Sequence, residues 1–301
     1  MRTRSHKTWL AALGAALALA AGATAGTAIG APARPAGQSP IEKAANKTAK
    51  ASTFAFSFRL TVSGGGSSIP GGSISLSGSG AVNTVHKSAK ISVNLGALAS
   101  SLGAAAGGTA LPAKIDVVVV NGVVYAHVPS LAKQLGGPGK EWLKLDTKAL
   151  PKSKTGGVDT SQLSKVNAQQ ALAALTASVS VKKLGSDTIG GQPATHYRAT
   201  LDVAKAVKVL PASQRASVLK GAKQAGLTSI PVDFWINGAG YLRRIALALG
   251  PIKSQGSPPV SFKLTADIFN FGGKVGIAVP PAAKTADASK LLTQLVPSVG
   301  G

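Results

Sequence analysis

GGQPATHYRATLDV, residues Gly190 to Val203, spells out a half-buried strand launched from a turn. Gly190, Gly191 and Pro193 punctuate it, and Tyr197, Ala199, Leu201 and Val203 then alternate with His196, Arg198, Thr200 and Asp202. A strict two-residue period puts one set of side chains toward an apolar interior and the other toward water. The same period runs through much of the chain. Phe54, Phe56, Phe58, Leu60 and Val62 carry it first, followed by Ile74, Leu76, Gly78, Gly80 and Val82, and then by Ala89, Ile91, Val93 and Leu95. Later come Val232, Phe234 and Ile236, then Ile245, Leu247 and Leu249, and finally Val260, Phe262, Leu264, Ala266 and Ile268.

The connections among the first three of these runs, Phe54 to Leu95, are too short for helical crossovers, so those strands form an antiparallel meander. In Lys114 to Val128, KIDVVVVNGVVYAHV, the Asn121-Gly122 pair between β-branched runs is a strong hairpin signal, with Val117 and Val119 on the inward phase. Helical spacing is confined to short segments. These are Gln38 to Ser52 with Ser39 as cap and Pro40 at the first helical position, Ala97 to Ala106, a turn through Leu131 and Leu135, and Asn167 to Ala177. Ala204 to Leu210, Ala212 to Gln224 and Thr285 to Val296 complete the set. The resulting fold class is α+β, with about ten strands in a strongly curved antiparallel sheet wrapped around short helices. Sheets with one apolar face need a cover. Whether the interior is a filled core or a cavity suited to acyl chains is left open by alternation alone.

The amino terminus MRTRSHK, followed by an Ala/Leu/Gly-rich run to about Ala28, has the layout of a secretory signal. The rival reading is an uncleaved anchoring helix. Residues 29–39 read as a linker and 40–301 as a single domain. The formal charge is +23, or +20 without Arg2, Arg4 and Lys7, which favours anionic membrane or wall surfaces. A solvated, lysine-biased surface accounts for the same count. Export and the scatter of the lysines argue against nucleic acid. Cysteine is absent, which excludes disulfides, thiolate metal sites and a catalytic thiol.

Chemistry in the ordinary catalytic sense finds little support, and no cofactor or metal is expected. His86, His127 and His196 lie far apart in sequence, and the ten acidic residues form no obvious pair beyond Asp202 and Asp233, which could meet across strands. Trp142 and Trp235 fall on polar phases, as rim aromatics or as packing. Arg198, Arg243 and Arg244 are candidates for holding an anionic head group, since guanidinium pairs well with phosphate, although a solvated strand face explains each singly. His196 and Arg198 are read as facing solvent.

Four segments resemble the LppX and LprG family of actinobacterial envelope lipoproteins. They are VVVVNGVVYAHVPSL at Val117 to Leu131, EWLKLD at Glu141 to Asp146, KKLGSDTIGGQPATHYRATLDVAKA at Lys182 to Ala206, and IPVDFWINGAGYLRRI at Ile230 to Ile245. Their order and spacing match as well, over about Ile41 to Val279. The resemblance implies a half-open barrel of the LolA-like kind that binds and carries acylated lipid or glycolipid across the envelope without catalysis, as a monomer. The inward residues would then line a lipid cavity. They are Phe54, Phe56, Phe58, Leu60, Ile74, Leu76, Ile91, Val93, Val117, Val119, Tyr197, Leu201, Val232, Phe234, Ile236, Leu247, Phe262 and Leu264. The alternative is a basic structural or adhesion module of the wall with a filled core. One departure stands out: without a cysteine after the signal, the family's N-terminal acyl anchor cannot form, so the expected place is secreted or held in the envelope by an uncleaved helix.

Overall fold

The computed structural model describes residues 39–66, 72–96, 98–99, 112–146, 178–209, 212–254 and 257–288. The signal segment, the helices expected over 97–106 and 167–177 and most of that over 285–296 lie outside the described residues.

Helix α1, Pro40–Ala49, opens on a complete capping box: the Glu42 amide donates to Ser39 Oγ (3.2 Å) and the Ser39 amide to the Glu42 carboxylate (3.0 Å). Its stripe Ile41, Ala44, Ala45 and Thr48 is buried. A meander follows: β1 (Thr53–Gly64), β2 (Ser73–Asn83), β3 (Ser88–Asn94), β4 (Lys114–Val120), β5 (Val123–His127) and β6 (Trp142–Asp146), with helix α2 (Pro129–Gly136) between the last two. A second meander comprises β7 (Ser178–Ile189), β8 (Gln192–Asp202), β9 (Ser229–Asn237), β10 (Leu242–Ser254) and β11 (Ser257–Phe269). Helices α3 (Val203–Ala206) and α4 (Ala212–Gln224) connect β8 to β9.

The two meanders join where β11 pairs with β1. A short strand β12 (Thr285–Asp287) lies parallel to β6, giving one curved, unclosed sheet of twelve strands in the order β12-β6-β5-β4-β3-β2-β1-β11-β10-β9-β8-β7. The count thus exceeds the ten expected. One extra strand is β12, which replaces the start of the expected terminal helix. The free edge of β6 offers backbone partners to Thr285–Asp287, and ladder bonds there satisfy groups that would otherwise be unpaired.

The tight turns cluster at the lower end of the strands. Asn121 (φ 51°) and Gly122 (φ 86°) both adopt the left-handed conformation that a two-residue type I′ turn demands. The longer connections carrying α2 and α3–α4 sit at the upper end. Residues 270–279 run as a strap beneath the lower end, and 280–284 climb to the upper start of β6, where the Glu141 amide donates to the Lys284 carbonyl (2.8 Å). The strap is tied to β1 by the Gly272 amide donating to the Thr53 carbonyl (2.9 Å) and by Thr53 Oγ1 donating to the Gly273 carbonyl (2.7 Å).

Within β2, Gly78 and Gly80 stand opposite Phe58 and Phe56 of β1, whose rings lie over them. The glycines are therefore the floor on which two phenylalanines rest. Two apolar clusters result. One joins Ile41 and Ala44 of α1 to Ala199, Leu201, Val232, Phe234, Ile236 and Leu242, and the other centres on Phe54, Phe56, Phe58, Leu60, Leu76 and Leu264.

Candidate functional site: the inner face of the sheet

Strand register carries each inward residue to its neighbours. Phe58 faces Gly78 and Ala266, Gly78 faces Val93, and Val93 faces Ile115. On the other side Ala266 faces Ile245, which faces Phe234, which faces Tyr197. Followed row by row, the ladders place every apolar residue named from periodicity on this one face. The register adds Ile115, Val124 and Ala126, and joins to them Leu143 and Leu145, which alternate with Trp142, Lys144 and Asp146. The run VVVVNGVV is apolar on both phases, so alternation there cannot say which side is in. Val118 illustrates the difficulty: it sits on the outer phase between Lys90 and Tyr125, yet is only 2% exposed.

The face is not uniformly covered. Helix α1 closes it over β8 to β10, its last turn pinned by the Leu242 amide donating to Thr48 Oγ1 (3.0 Å) and by Lys47 Nζ donating to the Ala239 carbonyl (2.6 Å). Phe234 and Leu242 are completely buried there. By contrast Ile74, Val117, Val119 and Phe262 are only half-buried and belong to neither cluster. The less covered part therefore lies over β4 to β6 and toward the upper end of the central strands.

The three arginines do not join this face. Arg198 forms a two-pronged pair with Asp233 (2.8 and 2.9 Å), and Arg244 does the same with Asp267 (2.5 and 2.8 Å), both as cross-strand pairs on the outer surface. Arg243 is the extra residue where β10 bulges against β9. It donates to the Ile268 carbonyl (2.9 Å) and more distantly to the Ile189 carbonyl (3.4 Å), tying β11 to the end of β7. Each guanidinium is thus committed to the protein itself.

Nor is His196 simply solvated, as its outward phase suggested. Its ring stacks on Trp235 at 4.2 Å, with Nε2 3.1 Å from Asp233 and Nδ1 3.3 Å from Asp187, while Trp235 Nε1 donates to Asp187 (2.7 Å). Asp202 does not meet Asp233: it caps α3 by accepting from the Lys205 amide (3.1 Å). Trp142 packs against His127 on the outer phase at 4.9 Å. Among the described residues no cluster of three or more His, Asp or Glu has metal-binding geometry.

Two carboxylates respond to this outer network. Partial burial pushes Asp233 up, but the hydrogen bonds from Arg198 and His196 and their charges outweigh it and hold the group below its ordinary value. Burial likewise pushes Asp116 up, and the bonds from Ser92 and Lys114, with the Lys90 charge, pull it lower. Depressed carboxyl values stabilise the fold above the unfolded value of about 4, and that contribution is lost as pH falls through the folded values. Stability is therefore expected to stay level from neutral pH to about 5 and to drop below about 4. Urea titrations of wild type and Asp116→Asn across that window check it. The variant should show a shallower acid limb.

A groove of about 630 Å³ lies at the lower end, between the β2–β3 and β4–β5 turns and the strap, with Val85, Val120, Ile277 and Val279 in its walls. None of the inner-face residues named from sequence lines it. Among the described residues no helix is long and apolar enough to cross a membrane.

No family model matches the sequence. Over 176 residues the chain is 31% identical to an uncharacterized 31.2 kDa protein of the rplA–rplJ intergenic region of Streptomyces griseus, a match covering 56% of this chain and 55% of that one. The chain thus spans about half the length of the curated relative it matches. Among solved structures it is similar to the LolA superfamily protein from Nitrosomonas europaea (TM-score 0.26, 9% identity, 80% of this chain and 93% of that one). It is also similar to LprF from Mycobacterium bovis (TM-score 0.38, 15% identity, 81% and 96%) and to the Mycobacterium tuberculosis lipoprotein LppX (TM-score 0.44, 16% identity, 79% and 96%). LppX and LprF represent the family whose motifs the sequence resembles.

Proposed function

We propose that the protein is an exported, non-enzymatic carrier of acylated lipid or glycolipid of the LppX and LprG kind, and that the inner face of the sheet is where the acyl chains lie. The observation that carries this reading is the unevenness of that face: it is apolar from β6 through β1 to β8, yet α1 closes only one flank and Ile74, Val117, Val119 and Phe262 remain half-buried. Apolar walls would replace the bilayer around each chain, every buried methylene being worth about 0.8 kcal/mol against water. Since bilayer and wall offer similar gains, exchange between them is nearly balanced, as a carrier requires. No bond is made or broken. Among the inner-face residues named from sequence, Tyr197 alone has a polar side-chain atom.

Native mass spectrometry with organic extraction of the purified protein tests the proposal. Retained lipid and uptake of a fluorescent acyl ligand are expected. The double variant Ile91→Glu/Val117→Glu should bind that ligand at least about tenfold more weakly while remaining folded, because charge placed against acyl chain is desolvated without a partner. A protein that retains no lipid and takes up no acyl ligand is instead a wall-associated module with a filled core.

A further inference from the structure

The connection between β8 and β9 differs in charge from the rest of the chain. From Val203 to Gln224 it holds Lys205, Lys208, Arg215, Lys220 and Lys223 and no acidic residue. All five are exposed, and among the described residues Lys205, Lys208, Lys220 and Lys223 have no carboxylate partner. This contrasts with the strand faces, where Arg198, Arg244 and Lys114 are each paired to an aspartate. Val203 and Val207 anchor the connection by burial. Helix α4 packs chiefly on α3 and the 3-10 turn Val207–Val209 that follows it, forming an outlying layer that presents its charge to solvent. Val218, Leu219 and Ala222 on α4 remain half-buried.

The same upper end carries α2. Its Ala132 is fully buried, and Gly136 lies close against Ala286 of β12, which fixes the helix to the sheet edge. Leu131 and Leu135, one turn apart, point away and are 45% and 37% exposed. Lys133 between them is exposed as well. Unpaired lysines and exposed leucines at one end of the strands match the two layers of a bilayer surface, phosphate head groups outside and acyl chains beneath. The half-buried Ile74 and Phe262 lie toward this same end of the inner face.

We infer that the upper end of the sheet is a docking surface for an anionic phospholipid bilayer. Lys205, Lys208, Lys220 and Lys223 lie on the head groups, and Leu131 and Leu135 enter the interface. The inference rests on the carrier reading for its purpose, since it places the uncovered inner face next to the membrane, but it is tested separately. The probe is co-sedimentation with vesicles of phosphatidylglycerol and phosphatidylcholine, compared with vesicles of phosphatidylcholine alone. The wild-type chain should bind the anionic vesicles, less so as salt rises. Neutralising Lys205, Lys208, Lys220 and Lys223 together to Gln should weaken binding by roughly 600-fold, from roughly fivefold per lysine at a charged surface. Neutralising the exposed Lys50, Lys87, Lys90 and Lys274, toward the lower end, should change it only a few-fold. Leu131→Ser/Leu135→Ser should cost roughly tenfold and leave the salt dependence in place. Equal losses in the two lysine variants, or wild-type binding that ignores lipid charge, would overturn the inference. So would preference for a soluble anionic wall polymer over vesicles. Acyl-ligand uptake measured in parallel separates the two readings: intact docking without uptake removes the carrier and not the docking surface, and uptake without docking does the reverse.

Discussion

Phe234→Ala should destabilise the protein by about 3–5 kcal/mol, the largest loss expected from a single truncation on the inner face. The ring is completely buried, faces Tyr197 on β8 and Ile245 on β10, and lies beneath Ile41 and Ala44 of α1. Helix α1 cannot readily settle into the space left behind, because the Thr48 and Lys47 bonds to the β9–β10 hairpin hold its last turn in place. The cavity therefore persists, and both the transfer term and the cavity term are lost. Domains of this size have total stabilities of about 5–15 kcal/mol, so the change is a large fraction of the whole. Urea unfolding with an unchanged slope is the measurement. Val117→Ala serves as the contrast: half-buried and outside both clusters, it should cost less than about 1 kcal/mol. Equal losses at the two positions would mean that the face is uniformly packed, which would count against an open flank.

Gly80→Val is the second large effect, and it acts by excess rather than by loss. A Cβ on Gly80 would stand 2.4 Å from the Lys90 carbonyl and 2.5 Å from the Phe56 ring. The carbonyl belongs to β3 in its ladder with β2 and cannot retreat without breaking that pairing. The ring could move only by leaving its place over the glycine, which disturbs the cluster shared with Phe54, Phe58 and Leu60. Overpacking of this type costs roughly 1–3 kcal/mol, and the double obstruction places Gly80→Val at or above the upper end. The variant should also shift the near-ultraviolet spectrum of the protein, since a buried aromatic must reorient. Gly191, whose Cβ would meet nothing within 4 Å, lies in the β7–β8 turn with φ at +76°. Substitution there would cost backbone strain only, roughly 1 kcal/mol, and leave that spectrum unchanged.

How much of this was legible beforehand depends on what each residue type can signal. The strands of the second meander were readable because Tyr197, Ala199 and Leu201, or Val232, Phe234 and Ile236, alternate with polar neighbours, and register then placed them on one face. The glycines of β2 did not name their partner, because Phe56 and Phe58 are brought over them only by pairing. The terminal strand was misread as helix, since Thr285–Asp287 is extended only by virtue of the free β6 edge, a tertiary circumstance that no local pattern encodes. The arginines show a related limit. Cross-strand partners such as Asp233 and Asp267 lie more than twenty residues away in sequence from Arg198 and Arg244, so a cation that looks available along the chain is already spoken for in the sheet. Val124 and Ala126 were missed because an apolar run has no phase.

Among the described residues the sheet ends at β7, a twelve-residue strand with one side unpaired. Such an edge is a template for pairing with a second chain, and here it is blunted. Lys182 and Lys183 project from it, and its pairing with β8 breaks register twice, between Ser178 and Ser180 and between Lys183 and Gly185. A closed barrel would need no such protection, because it has no edges. Keeping the sheet open to its surroundings therefore carries an obligation of solubility, and the twin lysines and the irregular outline of β7 discharge it by making edge-to-edge stacking of two such chains electrostatically and geometrically unfavourable.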